Sequence, residues 1–283
     1  MAAALPGPAV LRPGGPPAQR ARAATLPALL RRRWTSVVAV AAALAAWEAG
    51  SASGVLPHTL FPSMSATFGR LGGLLVDGGF WYAFGLTVES WVIGVAIATA
   101  LALPTGMLLG RVAIAYRSAR LMVDFLRTIP SVSVIPLITL LFGASMEMKV
   151  ILVVYGSFWP LMLQMVYGVR DTDRVLIDTV RSYRLSRWSA ARHVLAPSAL
   201  PYVVTGLRIS VVVGLLLAIS SEILGSAPGI GLELALAQGG GDLSLTYAYI
   251  VFIGLVGVTL DLALNAASRI VLFWHPSVRG EEQ

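Results

Sequence analysis

Several residue types and motifs are missing from this chain, and their absence excludes broad classes of function. The 283 residues include no cysteine and only three histidines, His58, His193 and His275, whose spacing matches no metal site. The single lysine, Lys149, lies outside any Gly-Lys-Ser/Thr loop, so the chain has no phosphate cradle of the Walker type. No Ser-His-Asp or His-Glu-x-x-His pattern occurs either. We therefore expect a protein that is not an enzyme and that binds no metal or cofactor.

Charged residues are also scarce: they make up 12% of the chain, whereas hydrophobic residues make up 57%. A soluble domain is about 25% charged, so this composition indicates an integral membrane protein. The net charge of +7 does not indicate nucleic-acid binding, because the arginines lie in the N-terminal tail and in short segments between apolar runs. We expect a multi-pass protein of the cell (plasma or inner) membrane that contacts lipid and no nucleic acid.

Six apolar runs predict an all-α fold with six transmembrane helices, an N-terminal helix followed by a five-helix core. Crossing a bilayer takes roughly 20 residues of α-helix. The predicted spans are 34–54, 84–109, 121–142, 150–169, 198–224 and 243–267. The other predicted segments are a disordered basic tail (1–33), an external loop with a short surface helix near 63–75 (55–83), and a second tail (276–283). The five-helix core covers 84–275 and includes a long polar loop, 171–197.

The first apolar run has two interpretations. Its basic flank, apolar centre and Ser51-Ala52-Ser53 would suit a cleaved signal peptide. A retained helix is favoured, because the rest of the chain is also membrane-embedded and leaves no soluble product to release. In that case Glu48 would lie near the outer interface.

The distribution of positive charge predicts the orientation of the chain. Of the 21 lysines and arginines, only Arg70 and Lys149 fall in predicted external segments. Arg127 and Arg208 lie within spans, and the others lie in segments that this orientation places inside, as the positive-inside rule requires. Both termini are therefore expected to be cytoplasmic.

Charged residues and prolines inside the spans are candidates for a transport path. Asp124 and Arg127 are three residues apart and should pair on one helical face, either as a structural pair or as part of a substrate site. Pro130 and Pro136 should kink or break the same span, to shape a path or only to pack. The candidate path or gate residues are Arg127, Pro130, Pro136, Arg208 and Glu222.

Two acidic residues in the spans also have structural interpretations. Glu222 lies at the predicted outer end of span five, where it is either part of a gate or a solvated helix end. Asp261 lies near the predicted cytoplasmic interface. We expect it to pair with Arg269, two helical turns further on.

The polar island 170–197, between two long apolar runs, is the most specific feature of the sequence. Its arginines are Arg170, Arg174, Arg181, Arg184, Arg187 and Arg192. Its pattern predicts two short helices, about 173–183 and 186–193, joined by a turn, with Ser186 as the N-cap of the second. It should face the cytoplasm. These arginines either serve topology alone or form part of a docking surface.

This island resembles the cytoplasmic loop of permease subunits of ATP-binding-cassette importers. That family has Glu-Ala-Ala, a glycine four residues later, and then nine residues before Ile-x-Leu-Pro. Here Asp178-Thr179-Val180 stands at the first element, Arg184 at the glycine, and Val194-Leu195-Ala196-Pro197 at the last. The spacing fits without a gap, although only Pro197 is identical.

The flanking segments are similar to the sulfonate, nitrate and taurine branch of these permeases. The resemblance covers about residues 55–275 in order. The matching segments are Leu60–Ser63, Phe125–Pro130 with Pro136-Leu137, Leu141–Gly143, Ser186–Trp188, Leu200-Pro201, Thr205–Arg208 and Gly229–Gly231.

The resemblance implies a dimeric membrane domain, two cytoplasmic ATPase subunits and an extracytoplasmic binding protein that delivers the solute. It makes the loop a coupling helix that docks in a groove of the ATPase, with Trp188 as the expected anchor, unless Trp188 is only an interfacial aromatic. Asp178 would hold an arginine or cap a backbone group. The expected coupling residues are Asp178, Arg184, Ser186, Arg187, Trp188, Val194 and Pro197.

The loop departs from the family pattern at its turn. Arg184 replaces a glycine that permits a positive φ, at a cost of about 1 kcal/mol unless the loop turns differently. Two assemblies are compatible with this departure. The chain is either one half of a heterodimer whose second permease subunit keeps the standard loop, or a homodimer on a diverged ATPase, and the homodimer is slightly favoured.

The leading functional hypothesis is a permease subunit that forms the path of an ATP-driven importer for a small sulfonate-, nitrate- or taurine-like solute. An importer of a thiamine-precursor-like nutrient is an alternative within the same superfamily. A self-sufficient secondary carrier or channel is an alternative outside it, and a non-transporting membrane scaffold is another.

Overall fold

A computed structural model of the chain describes residues 26–57 and 60–273. Within these ranges the fold is helical and contains no strand. The helices are α1 (Leu26–Ala52), α2 (Met64–Val76), α3 (Gly78–Arg111), α4 (Ala113–Thr128), α5 (Ile135–Phe142), α6 (Met146–Arg170), α7 (Arg174–Ser182), α8 (Arg187–Ala190), α9 (Ala196–Gly225), α10 (Ile230–Gly239) and α11 (Leu243–Val271). The predicted tail 276–283 lies outside the described residues, as do residues 1–25 of the predicted N-terminal tail.

Four helical segments of the described chain are long and apolar enough to cross a membrane: α3, α6, the stretch Trp188–Gly225 and α11. A fifth span results if α4 and the helical stretch Ser131–Phe142, which are bent by 80° relative to each other, are counted together. The apolar part of α1, Val38–Ala52, is shorter than the roughly 20 residues that a crossing requires. The multi-pass helical fold is confirmed, and a sixth crossing by α1 stays a prediction.

Helices α3, α6 and α9 form the tightly packed centre of the bundle because glycines let their backbones approach closely. A Cβ on Gly94 would lie 2.5 Å from Val153 Cγ1, and one on Gly156 would overlap Leu217 Cδ1. On α6, Leu152 is fully buried. Below, the end of the bundle at which α3 and α6 finish is called the loop end, and the opposite end the far end.

The predicted third span is broken, as its prolines indicated. Helix α4 ends at Thr128, and a short 3-10 turn, Ser131–Val134, follows Pro130. The chain then enters α5, whose first residue, Ile135, is fully buried. Helix α4 itself begins at Ala113, so most of the predicted loop 110–120 is helical. The reason is that the sequence of α4 is strongly amphipathic, and its arginines lie on the polar face of a helix instead of in a loop.

Helix α2 occupies the segment for which the sequence predicts a short surface helix. Ser63 caps it by accepting a hydrogen bond from the Ala66 amide at 3.2 Å. The carboxylate of Glu48, near the end of α1, accepts a second bond from the Met64 amide at 2.6 Å. Glu48 thereby joins the far end of α1 to the start of α2. The helix α1 begins at Leu26, well before the predicted start of the first span at residue 34.

Candidate functional site

The polar loop at the loop end contains the two short helices that its sequence predicts. Asp173 caps α7 by accepting a hydrogen bond from the Val175 amide at 2.8 Å. Ser186 caps α8 in the same way, with its hydroxyl 3.2 Å from the Ser189 amide nitrogen. The predicted N-cap role of Ser186 is therefore confirmed.

Arg184 forms the turn between α7 and α8 with a positive φ of 48°. The Leu185 amide donates to the Val180 carbonyl at 3.1 Å, which is the closing bond of a Schellman motif with Arg184 at the left-handed position. Position 184 thus adopts the conformation that the family's glycine permits, although its residue has a Cβ. The expected strain of about 1 kcal/mol is therefore present at this turn.

The second loop helix does not end before the following span, which differs from the prediction. Helix α8 runs through a π-turn, Ala191–Leu195, directly into α9. The Ala196 amide donates to the Ala191 carbonyl, five residues back. Pro197 follows this wider turn, which shifts the hydrogen-bond ladder where proline has no N–H and would crowd the carbonyl four residues before it. The docking helix and the span are one continuous element.

The outer surface of the loop is apolar and exposed. Trp188 has 74% of its surface exposed, and Val175 and Tyr183 are similarly exposed. Asp178 and Arg184 are exposed beside them. Exposed aromatic and aliphatic side chains rimmed by arginines are typical of a protein interaction surface. Of the other predicted coupling residues, the backbone of Arg187 begins α8 and Val194 lies in the π-turn.

Two adjacent residues at the base of the loop connect it to different helices. The guanidinium carbon of Arg170, the last residue of α6, lies 3.5 Å from the centre of the Tyr116 ring on α4. The next residue, Asp171, accepts a hydrogen bond from the Tyr202 hydroxyl on α9. The base of the loop is therefore joined to both α4 and α9.

At the far end, Lys149 and Glu222 form a buried ion pair that the sequence did not predict. Lys149 Nζ lies 2.9 Å from Glu222 Oε1, and both side chains are essentially inaccessible. The ammonium group also donates to the Leu86 carbonyl at 3.0 Å and to the Pro228 carbonyl at 2.6 Å. The three bonds use all the protons of the ammonium group.

The second carboxylate oxygen of Glu222 is equally well bonded. Glu222 Oε2 accepts from the Thr87 hydroxyl at 3.0 Å and from the Gly231 amide at 3.0 Å. The Thr87 hydroxyl in turn accepts from the Ile230 amide at 3.1 Å. This network joins α3, α6, α9 and the start of α10, and every member has partners.

The Gly229-Ile230-Gly231 segment gains a physical explanation from this network. Gly229 has a φ of 157°, and a Cβ there would overlap the Glu222 carboxylate. A Cβ on Gly231 would lie 2.6 Å from the Ile219 carbonyl oxygen. Of the two expectations for Glu222, the solvated helix end is wrong, because its carboxylate is enclosed by this turn. Lys149 is likewise buried in the first turn of α6, and its placement in an external turn is wrong.

The remaining candidate path residues lie in separate pairs. Arg127 Nε lies 3.1 Å from Asp124 Oδ1, so that predicted pair is confirmed. Asp261 pairs with Arg208, at 2.5 Å, instead of with Arg269. That correction has a geometric reason, because α9 brings Arg208 directly beside Asp261, whereas Arg269 lies two turns away on the same helix.

The two path prolines have different local roles. Pro130 directly precedes the 3-10 turn at the break between α4 and α5. Pro136 lies in the first turn of α5, where its missing N–H is not needed, so it starts a helix instead of kinking one. The described residues include no group of three or more His, Cys, Asp or Glu that could hold a metal ion.

Comparison with known proteins agrees with these features. The chain is 29% identical over 241 residues, 84% of its length, to the aliphatic sulfonates transport permease protein SsuC of Escherichia coli (strain K12), covering 91% of that protein. It is 26% identical over 69% of its length to the nitrate import permease protein NrtB of Leptolyngbya laminosa, covering 70% of that protein.

A solved structure of the inward-facing MetNI methionine ABC transporter has a chain of the same fold, with a TM-score of 0.57 and 22% identity over 70% of this chain and 96% of that one. Residues 102–272, more than half of the chain, match the profile of the binding-protein-dependent transport system inner membrane component. In this family the chain is the multi-pass membrane subunit, and separate subunits hydrolyse ATP and bind the solute outside. The chain with the exposed loop and the broken span therefore belongs to the family of binding-protein-dependent transport system inner membrane components.

Proposed function

We propose that this chain forms the membrane path of an ATP-driven importer for a small anionic solute of the sulfonate, nitrate or taurine kind. Curated relatives that cover most of the chain are named as aliphatic sulfonates, nitrate and taurine permeases. These solutes share a compact oxyanion headgroup. The paired arginines of the spans, Arg127 and Arg208, are the cations of the described chain that we propose to line the path, with the break between Pro130 and Pro136 shaping it.

The exposed loop carries the proposal for energy coupling. Its helices α7 and α8 would lie on the cytoplasmic side and dock in a groove of the ATPase, with Trp188 as the anchor. Closure of two ATPase subunits would then move two permease subunits between inward- and outward-facing states as rigid bodies. Because α8 is continuous with α9, a displacement of Trp188 reaches the centre of the bundle without a flexible joint.

The orientation and assembly follow from the same proposal. The loop end would face the cytoplasm, both termini would lie inside, and α1 would make a sixth crossing with Glu48 near its outer end. A second copy of this chain would complete the path, and lipid would cover the remaining apolar surface. We favour the homodimer because the turn at Arg184 keeps the backbone conformation of the family and does not need a partner subunit to supply it.

Replacing Trp188 with alanine tests the docking role. We expect Trp188→Ala to insert normally in the membrane but to retain far less of the ATPase on co-purification. Trp81→Ala is the matched control, because Trp81 is a partly exposed tryptophan on α3 at the far end. Equal ATPase recovery from both variants would contradict the coupling role of the loop.

Reconstitution in lipid vesicles tests the importer hypothesis. Uptake of labelled nitrate, taurine or a small alkanesulfonate should require the ATPase subunits, ATP and the binding protein. Uptake by this chain alone would favour a secondary carrier or channel instead. Uptake of a pyrimidine vitamin precursor but of no anion would favour the thiamine-precursor alternative.

A further inference from the structure

We propose that Arg170 and Tyr116 are positioning residues that transmit the movement of the loop to α4; the inference rests on the proposed coupling role of the loop. Neither residue belongs to the loop motif or to the candidate path. Their contact is the one described cation–π pair between α6 and α4. It connects the base of the loop to the helix that carries Arg127.

Helix α4 is held much more loosely than the helices around it. None of its residues is buried, whereas α6 has buried residues from its first turn to its last. The chain after α4 is anchored again by Ile135, which is fully buried at the start of α5. A helix with few buried contacts, followed by a sharp break, is the element of this fold that can move at the smallest cost.

Two side-chain contacts hold the described face of α4 against α6. Arg170 lies over the ring of Tyr116 near the loop end. The Tyr155 hydroxyl donates to the Leu126 carbonyl at 2.9 Å, one turn before the break. The second contact lies near the pivot, so the first acts at the longer distance from it. A displacement of Arg170 would therefore rotate α4 about the segment that ends at Pro130.

The neighbouring contact between Asp171 and Tyr202 has a different consequence. Helices α6 and α9 already form one body, because Ser157 and Ser210 exchange hydrogen bonds, each hydroxyl to the other's carbonyl, at 2.9 and 2.6 Å. Asp171 adds one further bond within that body. Arg170 instead joins the body to a separate, loosely held helix, so only its contact can pass movement between them.

The chemistry of this contact allows a selective test. The face of an aromatic ring attracts a cation through its quadrupole, which phenylalanine retains and leucine lacks. Tyr116→Phe should therefore preserve the transmission and Tyr116→Leu should abolish it. On the other side, Arg170→Lys keeps a cation within reach of the ring, whereas Arg170→Gln removes it.

The absence of cysteine makes distance measurements direct. Spin labels on Leu121→Cys, an exposed position of α4, and Leu108→Cys, an exposed position of α3, report the separation of α4 from the central bundle. The complex with its ATPase subunits is measured without nucleotide and with ATP trapped by vanadate. We expect a nucleotide-dependent distance change that Tyr116→Phe and Arg170→Lys keep and that Tyr116→Leu and Arg170→Gln lose.

A second label pair controls for a general loss of structure. Labels on Leu108→Cys and Val212→Cys report the separation of α3 from α9 within the central bundle, and this distance should be the same with Tyr116 or Leu at position 116. ATP hydrolysis should continue in Tyr116→Leu while solute uptake per ATP falls, because the motor still turns over but α4 no longer follows it.

The outcomes separate this inference from the proposal on which it rests. If the α3–α4 distance ignores nucleotide even with Arg170 and Tyr116 in place, the coupling role of the loop fails, and the inference fails with it. If that distance responds to nucleotide but Tyr116→Leu and Arg170→Gln respond equally, the coupling role stands and only the transmission through this contact is overturned.

Discussion

Lys149 on α6 and Glu222 on α9 form an ion pair of 2.9 Å that is shielded from solvent on all sides. Each charge has further hydrogen-bond partners from the backbone or from Thr87. Isolated charges at such a site would be very costly, and this bonding is what makes the pair tolerable. The pair ties the far ends of the central helices to the turn before α10, so it should matter for stability at that end.

Removing one member of the pair is expected to be strongly destabilising. Glu222→Ala leaves the Lys149 ammonium buried without its counter-ion, at a cost of about 3–5 kcal/mol. Thermal unfolding of the purified protein in detergent measures this loss. The double variant Lys149→Met/Glu222→Leu should recover part of it, because no charge is left buried.

The exposed pair of Arg70 and Asp242 at the same end is the matched control. Their side chains are 57% and 35% exposed, so Arg70→Ala should cost only about 0–1 kcal/mol. A loss in Arg70→Ala as large as that in Glu222→Ala would show that burial of the Lys149–Glu222 pair has no special effect.

Gly229 should tolerate no side chain, because a Cβ would overlap the Glu222 carboxylate. We expect Gly229→Ala to cost about 1–3 kcal/mol or more, through forced displacement of the turn before α10. The yield of folded protein by size-exclusion chromatography and its unfolding temperature measure this.

Gly239→Ala, at the end of α10, has no atom within 4 Å of the new Cβ and serves as the control. It should leave folding unchanged or improve it slightly, since alanine is the better helix former. Similar losses in both variants would contradict the steric explanation.

Arg184→Gly should stabilise the turn of the loop by about 1 kcal/mol, because glycine adopts the positive φ without a Cβ clash. Hydrogen exchange of the Tyr183 and Leu185 amides, which donate the bonds at this turn, should slow correspondingly. Arg192→Gly removes the same charge from a helical position, so it should weaken the loop instead. Faster exchange in Arg184→Gly would contradict the strained-turn interpretation.

Arg127→Gln tests whether this guanidinium lies on the path of an anion. Arg127 is about half exposed and shares Asp124 with Arg120. If it contacts the solute, its loss should lower uptake about tenfold, which corresponds to about 1.4 kcal/mol of lost interaction. Concentration-dependent uptake of labelled anion in vesicles measures this effect.

Asp124→Asn, which leaves the guanidinium in place and removes the competing carboxylate, should maintain or raise uptake. Equal losses in Arg127→Gln and Asp124→Asn would instead indicate that the two residues form a structural pair.

Much of this fold follows from local sequence patterns. Apolar runs of sufficient length predicted the long helices, prolines predicted the break between α4 and α5, and the spacing of Asp124 and Arg127 predicted their pair. The N-cap at Ser186 and the strained turn at Arg184 were also accessible, because each depends on a few neighbouring residues. Interactions within one or two helical turns are specified by the order of residues alone.

The contacts between distant segments were not accessible in this way. Lys149 and Glu222 are 73 residues apart, and Arg208 and Asp261 are 53 apart, so no local spacing connects them. The continuity of α8 with α9 also escaped prediction, because proline at 197 signals a break unless a wider turn precedes it.

The sequence by itself therefore determined that the chain is a helical membrane protein with a basic, helix-forming loop, since hydrophobic length and charge distribution are properties of the chain in order. Only the tertiary structure decided which charge neutralises which, and that Arg170 reaches Tyr116 on α4. The physical reason is that ion-pair and cation–π partners are selected by the packing of helices, and close glycine contacts set that packing.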